Sequence, residues 1–473
     1  MSPAQQRLVE TVRTRFGERA AVTAADDLAP WLTDWRGRWH GAAPAMLEPR
    51  ATAEVAAMVA LARELGVPLV PQGGNTSMVG GATPPADGSA LILSLRRMNR
   101  VRAIDVAARR CVAEAGVVLE ALHGAVAEER LRFPLTLGAK GSATIGGLAS
   151  TNAGGTQVLR FGTMRGLTDG IEAVLPDGSV HDGLAGLKKD NRGPSLDQLL
   201  IGAEGTLGVI TAVRLKLVPA VHARATAWLG LADPAAALAV LRALERETER
   251  VEGFEILPAE SLDAALAHLA GTRAPLAGRH PWHALVEATA AGPADEAPAA
   301  LLERLLAPLA ARGLVADATI AASEAQSDAM WRLRDGLSEA EKKAFGPATQ
   351  HDISVPVDGM PRFLADAAAA IEAAFPGVKA SGFGHLGDGN IHFHVRAMGR
   401  ADGGDWLERE GEAVSRLVHD LVTAAGGSIS AEHGIGQMKR AELARLAPER
   451  VAALRALKAG LDPAGIMNPG KLV

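Results

Sequence analysis

The chain has 473 residues, 48% hydrophobic and 22% charged, an ordinary globular composition in a chain too long for one compact core, so two or three domains are expected. Its formal net charge of −5, with no concentrated basic run, points away from nucleic acid and anionic membrane surfaces. A single cysteine, Cys111, excludes an intrachain disulfide and cysteine-based zinc fingers, and the absence of tyrosine means any chemistry proceeds without a phenol.

The segment Met1–Arg15 is polar and lacks the apolar core of a signal peptide. Charge or glycine interrupts every apolar run before it could span a bilayer, so a cytoplasmic protein is expected, with peripheral attachment to a membrane left open. Residues 1–44 read as a helical lead-in followed by a turn carrying Trp31, Trp35 and Trp39, whose spacing of four is helix-like and suggests packing. Thr52 can cap a helix in which Val55, Met58, Val59 and Ala62 recur at helical spacing. Strand patterns follow at Val67–Val70, Ala90–Ser94, Arg110–Ala115, Ile171–Leu175 and Val209–Leu217, separated by glycine-rich loops, which predicts an α+β fold. Cys111 falls in one of these strands and is expected in the core.

From about Val221 the character changes. Alanine- and leucine-rich helices at Pro234–Glu249, Ala259–Leu269 and Glu296–Arg312 alternate with strands such as His283–Ala288, suggesting a separate domain with an antiparallel sheet under helices. A basic helix, Met438–Ala459, and a Pro/Gly-punctuated tail end the chain. The expected divisions are 1–44, 45–221, 222–430 and a C-terminal segment 431–473 that returns to the second.

Three glycine loops carry the first chemical signal. Pro71–Gly81 combines consecutive glycines, which let backbone N–H groups turn towards an anion, with the short polar side chains of Asn75, Thr76 and Ser77. Pro84 and Pro85 follow, so no helix N-terminus is presented as in a Rossmann loop, and no Gly-Lys-Ser/Thr makes it a P-loop. The second run is Gly138–Gly147 continuing to Thr151–Gly155, and the third is Ile201–Ile210. Three such loops suit a long, phosphate-bearing ligand.

These segments closely resemble the FAD-binding domain of the vanillyl-alcohol oxidase/p-cresol methylhydroxylase superfamily, in the branch containing D-2-hydroxyglutarate dehydrogenase and FAD-linked D-lactate dehydrogenase. The resemblance covers roughly residues 45–473. It implies a two-subdomain FAD-binding fold joined to an α+β substrate (cap) domain with an antiparallel sheet. It also implies that Gln72, Gly73, Gly74, Asn75, Thr76, Ser77, Gly80 and Gly81 hold the pyrophosphate. Gly138, Gly141, Ser142, Ala143, Ile145, Gly146, Gly147, Thr151, Asn152, Gly154 and Gly155 would line the flavin and ribityl chain. Glu204, Gly205, Gly208, Val209 and Ile210 would reach the adenine side or the ring, and Asn468 would close the site. Members that attach FAD covalently often carry a histidine in the first loop; none stands between Pro71 and Pro85, so non-covalent FAD is expected.

The second signal is Gly382–His394, where His385 sits in a glycine-rich turn and His392 and His394 share one face of the strand Ile391–Val395. Its Gly-x-G-x-x-Gly match is rejected, because a strand follows where a dinucleotide site needs a helix. Downstream, Ser430–Gly434 places Glu432 beside His433. Two imidazoles and a carboxylate are a common zinc set. The resemblance implies His385, His392 and Glu432 as metal ligands, with zinc the expected ion, and His433 as the base. It also implies that Arg334 and Ser338, one helical turn apart, bind a substrate carboxylate.

Two positions depart from the hydroxyglutarate enzymes: Gln350 stands where they carry lysine, and His394 where they carry asparagine. Both are expected to contact substrate, and both leave its side chain open. Lys188, Lys189 and Arg192 read as a solvated loop, and His280 and His283 receive no role. The expected activity is oxidation of a small D-2-hydroxy acid, with electrons passed to a flavoprotein, quinone or cytochrome. An O2-using oxidase, a flavin-binding subunit of a larger complex, and a metal hydrolase stay open, and a homodimer is compatible with all of these.

Overall fold

The computed structural model describes residues 1–398 and 405–473. The chain divides into two compact units, Met1–Gly155 with Phe161–Ala220 and Glu432–Val473, and Thr156–Arg160 with Val221–Ala431.

In the first unit the opening helix is Pro3–Phe16, capped by a reciprocal Ser2–Gln5 pair and ended by Gly17 at φ 91°. It buries Leu8, Val9 and Val12. A four-stranded sheet takes the order Ala21–Val22, Met46–Leu47, Leu91–Ser94, Leu69–Gln72, and all but the first pairing is parallel. The parallel step between Met46–Leu47 and Leu69–Gln72 is carried by the helix Thr52–Leu65, which buries Val55, Met58, Val59 and Ala62 as its periodicity predicts. Ala51, not Thr52, takes the cap position; the Thr52 hydroxyl instead donates to Glu172 at 2.5 Å.

An antiparallel five-stranded sheet completes this unit in the order Val101–Asp105, Arg110–Glu114, Val209–Lys216, Thr168–Val174, Val180–Asp182. Cys111 lies in its core, where burial pushes the thiol up to about 12. The tryptophan segment is not a helix. Only Ala29–Trp31 winds, as a short 3-10 turn, and a Thr33–His40 bridge closes the rest into a loop with Trp35 exposed. The expected helix Met438–Ala459 is two, Arg440–Leu446 and Pro448–Leu461, because Pro448 disfavours helical backbone at Ala447 and starts a new first turn.

The second unit is built on a seven-stranded antiparallel sheet: Asp317–Ile320, Ala223–Leu231, Trp282–Ala290, Val251–Pro258, Val378–His385, Asn390–Ala397, Ala348–Ser354. One face packs Ile353, Ile391, Phe393 and Val395 against the helices Pro234–Glu247, Pro298–Ala311, Met360–Ala374 and Asp405–Ala424. The other carries Trp228, Leu257, Leu285 and Phe383 under Ala259–His268, Glu324–Asp335 and Leu337–Phe345. Strand alternation then decides the chemistry. With Ile391, Phe393 and Val395 in the core, His392 and His394 must face the opposite side, beside Phe383. Among the described residues, no helix is long and apolar enough to cross a membrane.

Candidate functional site

The first unit holds a cavity of about 590 Å³, within the range of small-molecule and cofactor sites. Gln72–Ser77, Gly81, Gly138, Gly141, Ser142, Ala143, Gly146, Gly147, Thr151, Gly154, Glu204, Gly205, Gly208, Val209 and Ile210 line it, so the three glycine loops converge. They pack closely: a Cβ on Gly73 would run into the Thr144 hydroxyl, and one on Gly74 into the Ser142 carbonyl. Gly80, Ile145, Asn152, Gly155 and Asn468 are not on the wall. Gly80 backs onto Trp39, Gly155 onto Thr136, and Ile145 is core. Asn152, at φ 52°, accepts from the Thr163 hydroxyl and the Arg165 amide, 2.9 Å each.

Several polar side chains shape the cavity from behind. Gln72 donates to the Trp31 and Ala82 carbonyls, both at 3.0 Å, and Asn75 donates to the Thr33 carbonyl at 2.8 Å. The Ser77 hydroxyl accepts from the Gly81 amide at 2.9 Å. Glu204 lines the cavity and also reaches a distant loop. Its carboxylate accepts from the Ile435 and Gly436 amides, both at 2.8 Å, and therefore anchors the loop that follows Glu432 and His433. Burial pushes its carboxyl up, opposed by those amides and by Lys439. Asn468 donates to the Glu204 carbonyl at 2.6 Å and to the Gly81 carbonyl at 3.0 Å, tying two glycine loops together instead of closing over a ligand.

Met78, Leu95, Leu137, Thr144 and Ser150 also line the cavity and were not singled out in the sequence, and Trp35, whose spacing suggested packing, stands on the wall as well. Thr144 Oγ1 and Gln72 Oε1 are buried there without a protein partner. Buried polar atoms of this kind call for a ligand. A glycine-lined cavity with unmatched hydrogen-bonding atoms fits a nucleotide cofactor such as FAD. Glu432 and His433 belong to the same unit and stand on the same wall.

The second unit gathers the other candidates on the polar face of its sheet. His385 and His392 have ring centroids 5.8 Å apart. His385 Nδ1 lies 2.5 Å from Glu255 Oε1, and Arg334 Nε donates to Glu255 Oε2 at 2.8 Å. Arg334 Nη2 reaches His385 Nε2 at 3.1 Å. Burial, then the positive charge of Arg334, holds the His392 imidazole well below its usual range, in the neutral form that ligates metals. Two imidazoles, one with its rear nitrogen held by a carboxylate, supply two of the nitrogen donors that zinc-type ions take.

Ser338 does not share a helix with Arg334. Gly336 ends Glu324–Asp335 and begins Leu337–Phe345, leaving Ser338 exposed. His394 is buried, with Nδ1 at 2.6 Å from Glu341 Oε2, while the Ser261 hydroxyl donates to Glu341 Oε1 at 2.5 Å. Gln350 is its cross-strand neighbour and is exposed. His283, given no role, accepts from Trp228 Nε1 at Nδ1, 3.1 Å away.

Comparison with known proteins finds two family models along the chain. Residues 221–472 match the family described as FAD linked oxidases, C-terminal domain, and residues 43–183 match the FAD binding domain. The D-2-hydroxyglutarate dehydrogenase of Bos taurus mitochondria is 38% identical over 96% of this chain and 81% of its own length. The protein of that name from Xanthomonas citri pv. viticola is 35% identical over 95% of this chain and 93% of its own length. Among solved structures, p-cresol methylhydroxylase with substrate bound superposes with a TM-score of 0.76 at 16% identity, covering 100% of this chain and 97% of that one. The last likeness is one of fold.

Proposed function

The chain belongs to the family of FAD linked oxidases, and from that premise we propose that it is a dehydrogenase oxidising a small D-2-hydroxy acid to the 2-oxo acid, using a divalent metal ion as well as FAD. D-2-hydroxyglutarate, D-lactate or a close relative is the substrate. The observation that carries this reading is the His385–His392 pair beside Arg334 on one polar sheet face, with the rear nitrogen of His385 already occupied by Glu255.

Bound FAD supplies the two-electron acceptor for the C2 hydride. A divalent ion, most simply Zn2+, would be held by His385, His392 and Glu432, and supplies Lewis acidity to the C2 hydroxyl, itself a very weak acid. His433 accepts the hydroxyl proton, a role that an imidazole can fill near neutral pH. Arg334 binds the substrate carboxylate, as a planar fork able to make paired charge-assisted hydrogen bonds. Glycine backbone amides of the loop 71–81 hold the FAD pyrophosphate without a covalent link. His394, oriented by Glu341, and Gln350 face the substrate's far end. Electrons leave to a flavoprotein, quinone or cytochrome.

Anaerobic turnover with a dye acceptor, run over matched D- and L-2-hydroxy acids, tests this. Oxidation of one or more D-acids, with the L-acids inert, is expected. Turnover of L-acids alone, or of none, contradicts it.

A further inference from the structure

Resting on the metal-dependent reading above, we infer that Glu255 is a positioning residue for this reaction, one buried carboxylate that sets both the metal-facing nitrogen of His385 and the orientation of Arg334. The strand register makes this possible. Glu255 and His385 are cross-strand partners on neighbouring strands, and Arg334 descends on them from the helix Glu324–Asp335. The carboxylate is 1% exposed, and its two oxygens are divided between the two partners: Oε1 to His385 Nδ1 at 2.5 Å, Oε2 to Arg334 Nε at 2.8 Å.

Donor and acceptor accounting then determines the imidazole. An ionised carboxylate only accepts, so His385 Nδ1 must carry the proton, and the neutral ring keeps its lone pair on Nε2. Arg334 Nη2–H, which can only donate, approaches that Nε2 at 3.1 Å, and this requires the same tautomer. Both contacts thus assign one protonation pattern, in which the Nε2 lone pair that accepts from Arg334 is the one a metal ion would take in its place. Arg334 Nε, which can only donate, likewise keeps Glu255 Oε2 an acceptor.

A merely structural ion pair would also look buried and well bonded, so the two roles differ in what the folded protein does. Carboxylates behind a metal-ligating histidine typically account for about 10–100-fold in metal affinity. In Glu255→Gln the amide can present N–H to Nδ1 and favour the wrong tautomer. In Glu255→Asp the charge opposite Arg334 is kept but the side chain is one methylene short, so folding is protected while both contacts lengthen.

The test measures Zn2+ affinity of the purified holoenzyme by competition with a zinc chelator, FAD per chain from the visible spectrum, and KM and kcat for the best D-2-hydroxy acid. Both variants are expected to keep wild-type FAD content, to bind Zn2+ at least tenfold more weakly, and to show a raised KM, with Asp the milder. Should the glutamine variant fail to fold, the aspartate variant decides. A folded variant with lowered thermal stability but unchanged Zn2+ affinity and KM overturns the inference and leaves Glu255 a structural residue. A wild-type protein that binds no Zn2+ sinks the metal reading itself, and this inference with it.

Discussion

The carboxylate of Glu204 accepts the amide hydrogen of Gly436 at 2.8 Å, bridging 232 residues of sequence. Its other oxygen takes the Ile435 amide at 2.8 Å, so a residue on the cavity wall holds the loop immediately after Glu432 and His433. Glu204→Ala would leave two amides without their acceptor, at a cost of about 2–4 kcal/mol. We expect kcat to fall by tenfold or more, FAD to remain bound, and the melting temperature to drop by several degrees. Steady-state kinetics and a thermal scan check this; an unchanged kcat would mean that the loop holds His433 in place without Glu204.

Arg334 is predicted to matter twice. Arg334→Gln removes the proposed fork for the substrate carboxylate and strips Glu255 of its cation while that carboxylate stays buried. Breaking a buried pair from one side costs about 3–5 kcal/mol. The expected outcome is a KM raised by at least tenfold together with a lower urea midpoint. Arg334→Lys should rescue little of the KM effect, because one ammonium cannot reproduce the fork. Full rescue by lysine would contradict the role given to the guanidinium.

The Trp228–His283 contact predicts a pH signature away from the site. Trp228 Nε1–H can only donate, so His283 Nδ1 must keep its lone pair, and burial, with His280 nearby, lowers the imidazole to about 4. The unfolded chain titrates near 6.5 and therefore binds more protons than the native state between those values. Stability contributed by neutral His283 is present above pH 6.5 and is lost as pH falls towards 4, by roughly 3 kcal/mol. His283→Gln should flatten the melting temperature over that window relative to wild type. Parallel curves would show that other groups carry the acid sensitivity.

Substrate choice is expected to turn on Gln350 and His394, which face each other across two strands. Gln350→Lys supplies the positive charge that the resemblance to the hydroxyglutarate enzymes implies at this position, and should raise kcat/KM for D-2-hydroxyglutarate relative to D-lactate. Equal effects on both acids would place Gln350 outside the subsite for the substrate's far end.

What could be read in the sequence was what is contiguous. The glycine loops announced a phosphate-bearing ligand because each is a short contiguous run, and all three meet at one cavity. The polar sheet face was visible in the alternation of Ile391, Phe393 and Val395 with His392 and His394. Partners distant in sequence left no trace. Glu255 lies 130 residues from His385, Glu341 lies 53 from His394, and neither carries a motif. Punctuation within helical patterns was read through at a cost. Gly336 separates Arg334 from Ser338, and Pro448 divides the C-terminal helix, since periodicity on either side of a break does not reveal the break.

The central claim, FAD and a metal acting together on a D-2-hydroxy acid, is tested most directly by the visible spectrum of the anaerobic protein titrated with that acid, before and after EDTA. The account predicts oxidised-flavin bands that one D-acid bleaches, that EDTA protects from bleaching, and that restored Zn2+ makes bleachable again. Flavin bands that no D-2-hydroxy acid bleaches, or that bleach equally after the metal is removed, would contradict it.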